Sequence, residues 1–349
     1  MMELNALDVA AARLRRQCLT DPVATEVDYL KLFRLMQPVA PPAYSRPGDP
    51  PKLEKRVAFD DRECANRLRR ERIIVKGRFL SGNVGYVFAE QLATYAAAFR
   101  RPLSAGDYTL DIVQEVVQRH GPITIGQIKE ETGLLSKQIV PALHKLQRSF
   151  LVYEDQVDED WERGWYDFET EWPGLALEDT DPLEARAAVI RDFLQVHVFA
   201  TERHISDWSG LSLTNVRAAV DSLLGDPAVS EACTDRGEEG WVFGDVPNTR
   251  LPADSRRVIM LTRSDMLIRS HKTELKRRFS GREVLRFLLV HGEPVGAVIG
   301  HWRIGPHDVD DIVIQVEETD GIRDEAICEV ASAYHPPYST IQKYAGKDL

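Results

Sequence analysis

Nowhere in these 349 residues does an apolar run approach the roughly 18–20 residues that a bilayer span needs, so no transmembrane helix is expected. Cysteine is equally sparse. Cys18, Cys64, Cys233 and Cys328 stand singly with no pair at metal-ligand spacing, which argues against a zinc ribbon or a disulfide framework and for reduced structural thiols. The chain has no Gly-rich phosphate loop, no G-x-S-x-G and no Cys/His pair at catalytic spacing, so P-loop and nucleophile-elbow chemistries fall away. The opening MMELNALDVAAARLRRQ lacks the basic-then-apolar order of a signal peptide, and a cytoplasmic protein is expected. An excess of positive charge is also missing. The formal net charge is −11, which on its own disfavours a polyanionic partner.

The distribution of charge says more than the sum. Between Glu154 and Asp181 twelve acids face Arg163 alone, whereas Lys52–Arg78 carries ten Lys/Arg against five acids and Arg256–Arg286 ten against three. The expectation is an electrically partitioned molecule, with two basic surfaces able to hold phosphates and an acidic segment, 154–181, turned elsewhere and available to a basic protein partner.

The most informative stretch is 108–153. Ile112, Val113, Val116 and Val117 line one face of a first helix that stops at His120-Gly121-Pro122. Thr124 caps a short second helix ending at Gly133, and Ser136 caps a third carrying Ile139, Val140, Leu143 and Leu146. Phe150–Tyr153 reads as a strand. That order is the order of a winged helix, whose third helix is the natural reader of a DNA groove. Residues 182–245 repeat it about 75 residues on: a helix over Leu183–Val198, a short helix Ile205–Trp208 ended by Gly210, a third capped by Ser212 or Thr214, and strands on either side of Arg236–Gly240.

Before these units, helices are expected over 3–19 and 28–36. The proline-rich stretch Gln37–Pro51 follows, excluding helix and central strand. A strand pair at Arg72–Phe79 and Val84–Phe88 and an amphipathic helix over Ala89–Arg100 come next. Beyond Arg257 the pattern turns to strands, at Val258–Leu261, Met266–Ile268, Val284–Val290, Val295–Trp302 and Asp311–Val316, closed by a helix at Asp324–Tyr334. The fold class expected is α+β, tandem winged-helix domains with a C-terminal antiparallel β-rich domain. Its boundaries fall at 1–105 (with the proline-rich loop), 106–181 (with an acidic wing), 182–250 and 251–349.

Several stretches together resemble the winged-helix DNA glycosylases of the AlkZ and YcaQ type, which unhook interstrand crosslinks and excise bulky alkylated bases. The carrying segments are Arg34–Val39, Ile74–Asn83, the two winged-helix patterns and Glu293–Gly300. The resemblance implies double-stranded DNA, modified or damaged, as partner, association with the nucleoid, and hydrolysis of an N-glycosidic bond without metal or organic cofactor. It also implies a Gln-x-Gln or Gln-x-Asp motif that positions or activates water. Here the matching tripeptide is Gln37-Pro38-Val39: Gln37 fits the first position, and Val39 stands where a water-binding side chain is expected. The family's Arg-Gly-Thr-Leu-His stretch corresponds to Leu80–Val84, where Gly82 matches. A glycosylase with Gln37 as catalytic residue and a non-catalytic DNA-binding regulator or scaffold of the same architecture both remain open.

Candidate phosphate and groove contacts follow from charge. Arg69, Arg70, Arg72, Lys76 and Arg78 lie along the strand pair, and Lys137, Gln138, His144, Lys145 and Arg148 on the third helix of the central unit. Arg269, Lys272, Lys276, Arg277 and Arg278, beside His271, form the densest basic run, with Lys272 and Lys276 one helical turn apart. In the second unit only Asn215 and Arg217 are equivalents. His301, Trp302, His307, Asp308 and Asp310 lack metal-ligand spacing and read as a polar turn, so no metal site is expected.

Overall fold

The computed structural model describes all residues except 1, 44–47, 104–105, 156–162, 175–176, 178, 248–256, 302–307, 317–320 and 335–339. Helices and several small sheets are mixed along the chain, an α+β arrangement. No helix among the described residues is long and apolar enough to cross a membrane.

The first surprise is at the N-terminus. The helix expected over 3–19 is shorter, Ala6–Arg16, capped by the Asn5 side chain, which accepts the N–H groups of Leu7 and Asp8. Ahead of it Met2–Leu4 is a strand running parallel to Val229–Thr234, with Met2 opposite Ala232 and Leu4 opposite Thr234. Leu4 therefore belongs to an edge of the second unit's sheet rather than to a helical stripe.

Helix Glu26–Met36 buries Tyr29, Leu32, Phe33 and Met36 and stops where Pro38 forces Gln37 into extended backbone (φ −62°, ψ 150°). A further helix, Arg62–Arg70, was not foreseen; its RECANRLRR is mostly charged and only Cys64, Ala65, Leu68 and Arg69 are buried. The strand pair is the hairpin Ile74–Phe79/Asn83–Phe88, in register from Ile74↔Phe88 to Phe79↔Asn83. Helix Leu92–Phe99 is buried on most faces rather than amphipathic, because it packs between the hairpin and helix Pro182–His197. One apolar core runs from Tyr29 and Phe33 through Phe79 and Tyr95 to Phe193, Trp208 and Leu223, so the N-terminal segments and the second unit share it.

In the central unit three helices, Tyr108–His120, Ile125–Thr132 and Ser136–Arg148, precede the antiparallel pair Val152–Asp155/Gly164–Asp167. Thr124 forms a reciprocal capping box with Gln127, and Gly133 ends the second helix at φ +68°. Ser136 is the first residue of the third helix; the cap position is Leu135, whose N–H is held by the Gln138 side chain. Val113, Val117, Ile128, Ile139, Leu143, Leu146 and Trp165 form this unit's core. The second unit repeats the sequence of elements: Pro182–His197, Glu202–Ser209, Leu213–Leu223 and strands Val229–Thr234/Glu239–Phe243, with Ser212 as the third helix's cap.

Among the described residues the C-terminal sheet has six strands, in the order Lys347–Asp348, Lys343–Tyr344, Val309–Ile314, Glu293–Gly300, Val284–Val290, Val258–Leu261. Helix Ile322–Tyr334 covers one face through Ile322, Ala326 and Val330. Met266–Ile268, expected as a strand, lies in helix Met266–Ser270 with Asp265 as its cap. A short fully buried apolar run carries no period that separates the two.

Candidate functional site

Gln37 closes helix Glu26–Met36 and is 1% exposed. Its Oε1 accepts the N–H of Phe88 at 2.9 Å and its Nε2 donates to Gln91 Oε1, so the amide is clamped between the end of the hairpin and the segment after it. The Gln37 carbonyl and Asp192 Oδ2 each lie 3.3 Å from the Tyr95 hydroxyl. Burial, with Asp192 beside it, holds that phenol well above its ordinary pKa. Val39 pairs with Tyr86 through both backbone hydrogen bonds at 2.9 Å. Its side chain lines a cavity of about 30 Å³ with Pro38, Leu80, Trp208 and Met266, whose polar wall includes Glu54, Arg56, Asp265 and Arg269. That volume suits a single water, far from the size of a nucleobase. Arg56 and Asp265 there form a buried two-pronged ion pair at 2.6 and 3.1 Å.

The basic strand pair is not a free surface, and the expectation of electrical partition fails here. Glu154, 3% exposed, sits among Lys76 Nζ at 3.3 Å, Arg163 Nη1 at 2.8 Å and Arg78 Nη2 at 3.9 Å. Burial raises the Glu154 pKa, but Lys76, Arg163 and Arg78 outweigh it and hold the carboxyl below its usual range. Arg72 bonds Tyr153 and Glu171, both at 2.5 Å, and its guanidinium lies over the rings of Trp172 and Tyr166. Arg69 is buried against the Gly48 carbonyl at 2.9 Å, 3.9 Å from Asp155. Glu154, Asp155 and Glu171 of the acidic segment are thus held by cations on or next to the hairpin, because hairpin and central unit are packed together, whereas Asp181 at its end caps helix Pro182–His197. Only Arg70 of the five is exposed, and it and Arg69 lie in the last turn of helix Arg62–Arg70 rather than along the strand pair.

On helix Ser136–Arg148, Lys137 and Gln138 are exposed in the first turn, Lys145 is exposed and pairs with Asp107 at 3.2 Å, and Arg148 is half-buried at the far end. In the second unit Arg217 is committed to Glu202. The C-terminal basic run splits. Arg269 turns inward, donating to the Leu80 and Trp208 carbonyls, both at 3.1 Å, and burial brings its pKa down to about 10. Lys272, Lys276 and Arg277 are exposed on helix Lys272–Arg278, while Arg278 pairs with Glu274. His301 lies between Glu283 at 3.0 Å and Asp310 at 3.6 Å; Trp302 and His307 lie outside the described residues. No group of three or more His, Cys, Asp or Glu among the described residues is arranged to hold a metal ion.

A cluster missed in the sequence gathers where the hairpin turn meets the second unit. Arg78, Arg100, Arg101, Arg148 and Arg186 surround a pocket of about 180 Å³ floored by Ser81, Gly82, Ser209 and Gly210. Arg100 and Arg101 are separated from Arg148 and Arg186 by long stretches of chain, and no local pattern signals their meeting.

A family model described as DNA glycosylase AlkZ-like matches residues 61–315. Among solved structures, the DNA glycosylase AlkZ of Streptomyces sahachiroi is similar at a TM-score of 0.71 and 14% identity, over 98% of this chain and 100% of that one. At that identity the likeness concerns the fold. No curated protein sequence matches.

Proposed function

Because the chain belongs to the AlkZ-like DNA glycosylase family, we propose that it binds double-stranded DNA, modified or damaged, and acts in DNA repair as a glycosylase-like hydrolase of N-glycosidic bonds. The observation that carries this reading is the family match itself. It takes in the hairpin, both three-helix units and most of the C-terminal sheet. We read 106–181 and 182–250 as tandem winged-helix domains between an N-terminal domain, 1–105, and a β-rich domain, 251–349. Helix Ser136–Arg148 is then the groove reader. Lys137 and Gln138 supply its exposed first turn, and the surface cations Arg70, Lys145, Lys272, Lys276 and Arg277 touch backbone. The protein is then cytoplasmic, at the nucleoid. Water is the co-reactant of such hydrolysis, and the family resemblance implies no metal or organic cofactor.

Gln37 is the proposed water-orienting residue. Its amide retains one N–H and one acceptor lone pair beyond the bonds to Gln91 and Phe88. To meet a nucleotide it must be uncovered, and Gln91 is the group to move. A second reading, a non-catalytic DNA-binding regulator, is favoured by one observation: the position two residues on is the apolar, backbone-paired Val39 beside a one-water cavity. Of the acidic segment, a protein partner would have the residues not already held by Lys76, Arg78, Arg163 and Arg72.

The test is base release from alkylated and crosslinked duplexes by wild type and Gln37→Ala, with duplex affinity and melting temperature recorded on both. Release lost by a folded variant that still binds duplex supports the enzyme. Tight, salt-sensitive binding with no release by wild type supports the regulator. Absence of any duplex affinity overturns the DNA reading.

A further inference from the structure

We infer that the arginine pocket between the hairpin turn and the second unit is a phosphate-binding site, and that its occupant is a backbone phosphodiester of duplex DNA; the choice of occupant rests on the proposed function. Five arginines, Arg78, Arg100, Arg101, Arg148 and Arg186, line one space of about 180 Å³, and no carboxylate is among the described residues that line it. Glu154, 3.9 Å from Arg78, is already shared with Lys76 and Arg163. Arg148 Nε is buried without a hydrogen-bond partner among the described residues. Like charges gathered this way repel one another in a partly desolvated site, and an anion with several oxygens removes that repulsion. Guanidinium forks match a tetrahedral phosphate, whose oxygens accept paired N–H donors from more than one arginine.

The backbone is shaped to keep the space open. Gly82 has φ +80°, and a Cβ there would lie 2.9 Å from Arg148 Nε. Gly210, at φ +73°, has Ser81 where its side chain would go. The floor of the pocket is thus two glycine turns pressed together, one from each side. Ser212 and Asn215, from the first turn of helix Leu213–Leu223, complete the wall, so the positive end of that helix adds to the field.

The site also fits the reader helix. Arg148 ends the helix whose first turn carries Lys137, roughly 17 Å away at 1.5 Å per residue. A major groove is about 12 Å wide, so one duplex can present base edges to Lys137 and Gln138 and a flanking phosphate to Arg148.

Arg101→Gln, at an exposed position, and Arg148→Gln test the inference, each checked for an unchanged melting profile. Binding of a 20-base-pair duplex is followed against NaCl concentration, and inorganic phosphate is titrated calorimetrically into the same proteins. The expected result is a fall in duplex affinity of about tenfold for each variant, with the salt slope smaller by about one. Phosphate that binds wild type tightly but not the variants, with duplex binding unchanged between them, moves the occupant from DNA to a free phosphate compound. Wild type that binds phosphate but no duplex overturns the DNA reading and leaves the pocket standing. Folded variants that match wild type for both ligands overturn the pocket.

Discussion

Gly210 and Ser81 touch with no room for a side chain between them: a Cβ built on Gly210 would lie 1.4 Å from Ser81 Oγ. This contact joins the hairpin turn to the turn between the second and third helices of the second unit, with Arg269 bonded to the carbonyls of Leu80 and Trp208 beside it.

Gly210→Ala is therefore expected to destabilise by more than the roughly 1–2 kcal/mol that a left-handed backbone alone imposes on a Cβ. Gly133 provides the comparison. It has φ +68° with open space around it, so Gly133→Ala should show the backbone penalty alone. Urea unfolding of the two variants checks this, and Ser81→Gly added to Gly210→Ala should restore part of the loss. Equal destabilisation of the two single variants would show that the Ser81 contact is unimportant.

Glu154→Gln removes the one charge that three cations share. Breaking a buried ion pair from one side costs about 3–5 kcal/mol, and loss of that order is expected at pH 7. The sign with pH follows from the lowered carboxyl. Because the folded pKa lies below the unfolded value of about 4.3, the stabilisation is complete above that value and is lost as pH falls through the folded one. The stability gap between wild type and variant should hold from pH 7 to about 5 and close below pH 4. A gap independent of pH would mean the charge is not what matters.

A third expectation concerns the clustered imidazoles of His197 and His271, which are buried, and His204, which is half-buried. Burial is the first cause holding all three below the ordinary range, His271 at about 4, with Arg13 adding to each. Ser270 Oγ lies 2.9 Å from His197 Nε2, and the His271 Nδ1–H reaches the Leu267 carbonyl at 3.0 Å, an arrangement neutral rings satisfy. The charged groups lining the adjoining pocket are Glu238, Glu274 and Glu293 with Arg13, Arg236 and Arg278. The unfolded chain protonates these rings near pH 6.5 while the folded one does not, so stability should fall as pH drops from about 6.5 towards 4. The urea midpoint at pH 7.5 and 5.0 decides. His271→Asn, if folded, should flatten the difference, and a midpoint insensitive to pH would count against the neutral cluster.

Much of this was legible in the sequence wherever local chemistry fixes structure. Thr124, Gly133 and Gly210 mark helix ends by their own hydrogen bonds or backbone angles, and the structure places them there; of Ser212 and Thr214 it makes Ser212 the cap. The charge reading failed because it treated runs as surfaces. Glu154 and Lys76 are far apart along the chain, and only the packing of hairpin on central unit makes them partners. The same reason hid Arg100, Arg101 and Arg186. Gln37 shows a different limit: its residue type was read, but whether its amide meets solvent or the Phe88 N–H depends on a hairpin fifty residues later.

The strand Met2–Leu4 sets an order of events during synthesis. Asn5, at its end, bonds Asp235, 230 residues on. When the first helix emerges from the ribosome its edge strand has nothing to pair with. The second unit's sheet can be finished only after Thr234 has followed. A change that slows the arrival of Val229–Thr234 should thus leave Met2–Leu4 unpaired for longer, although it is made well before its partner.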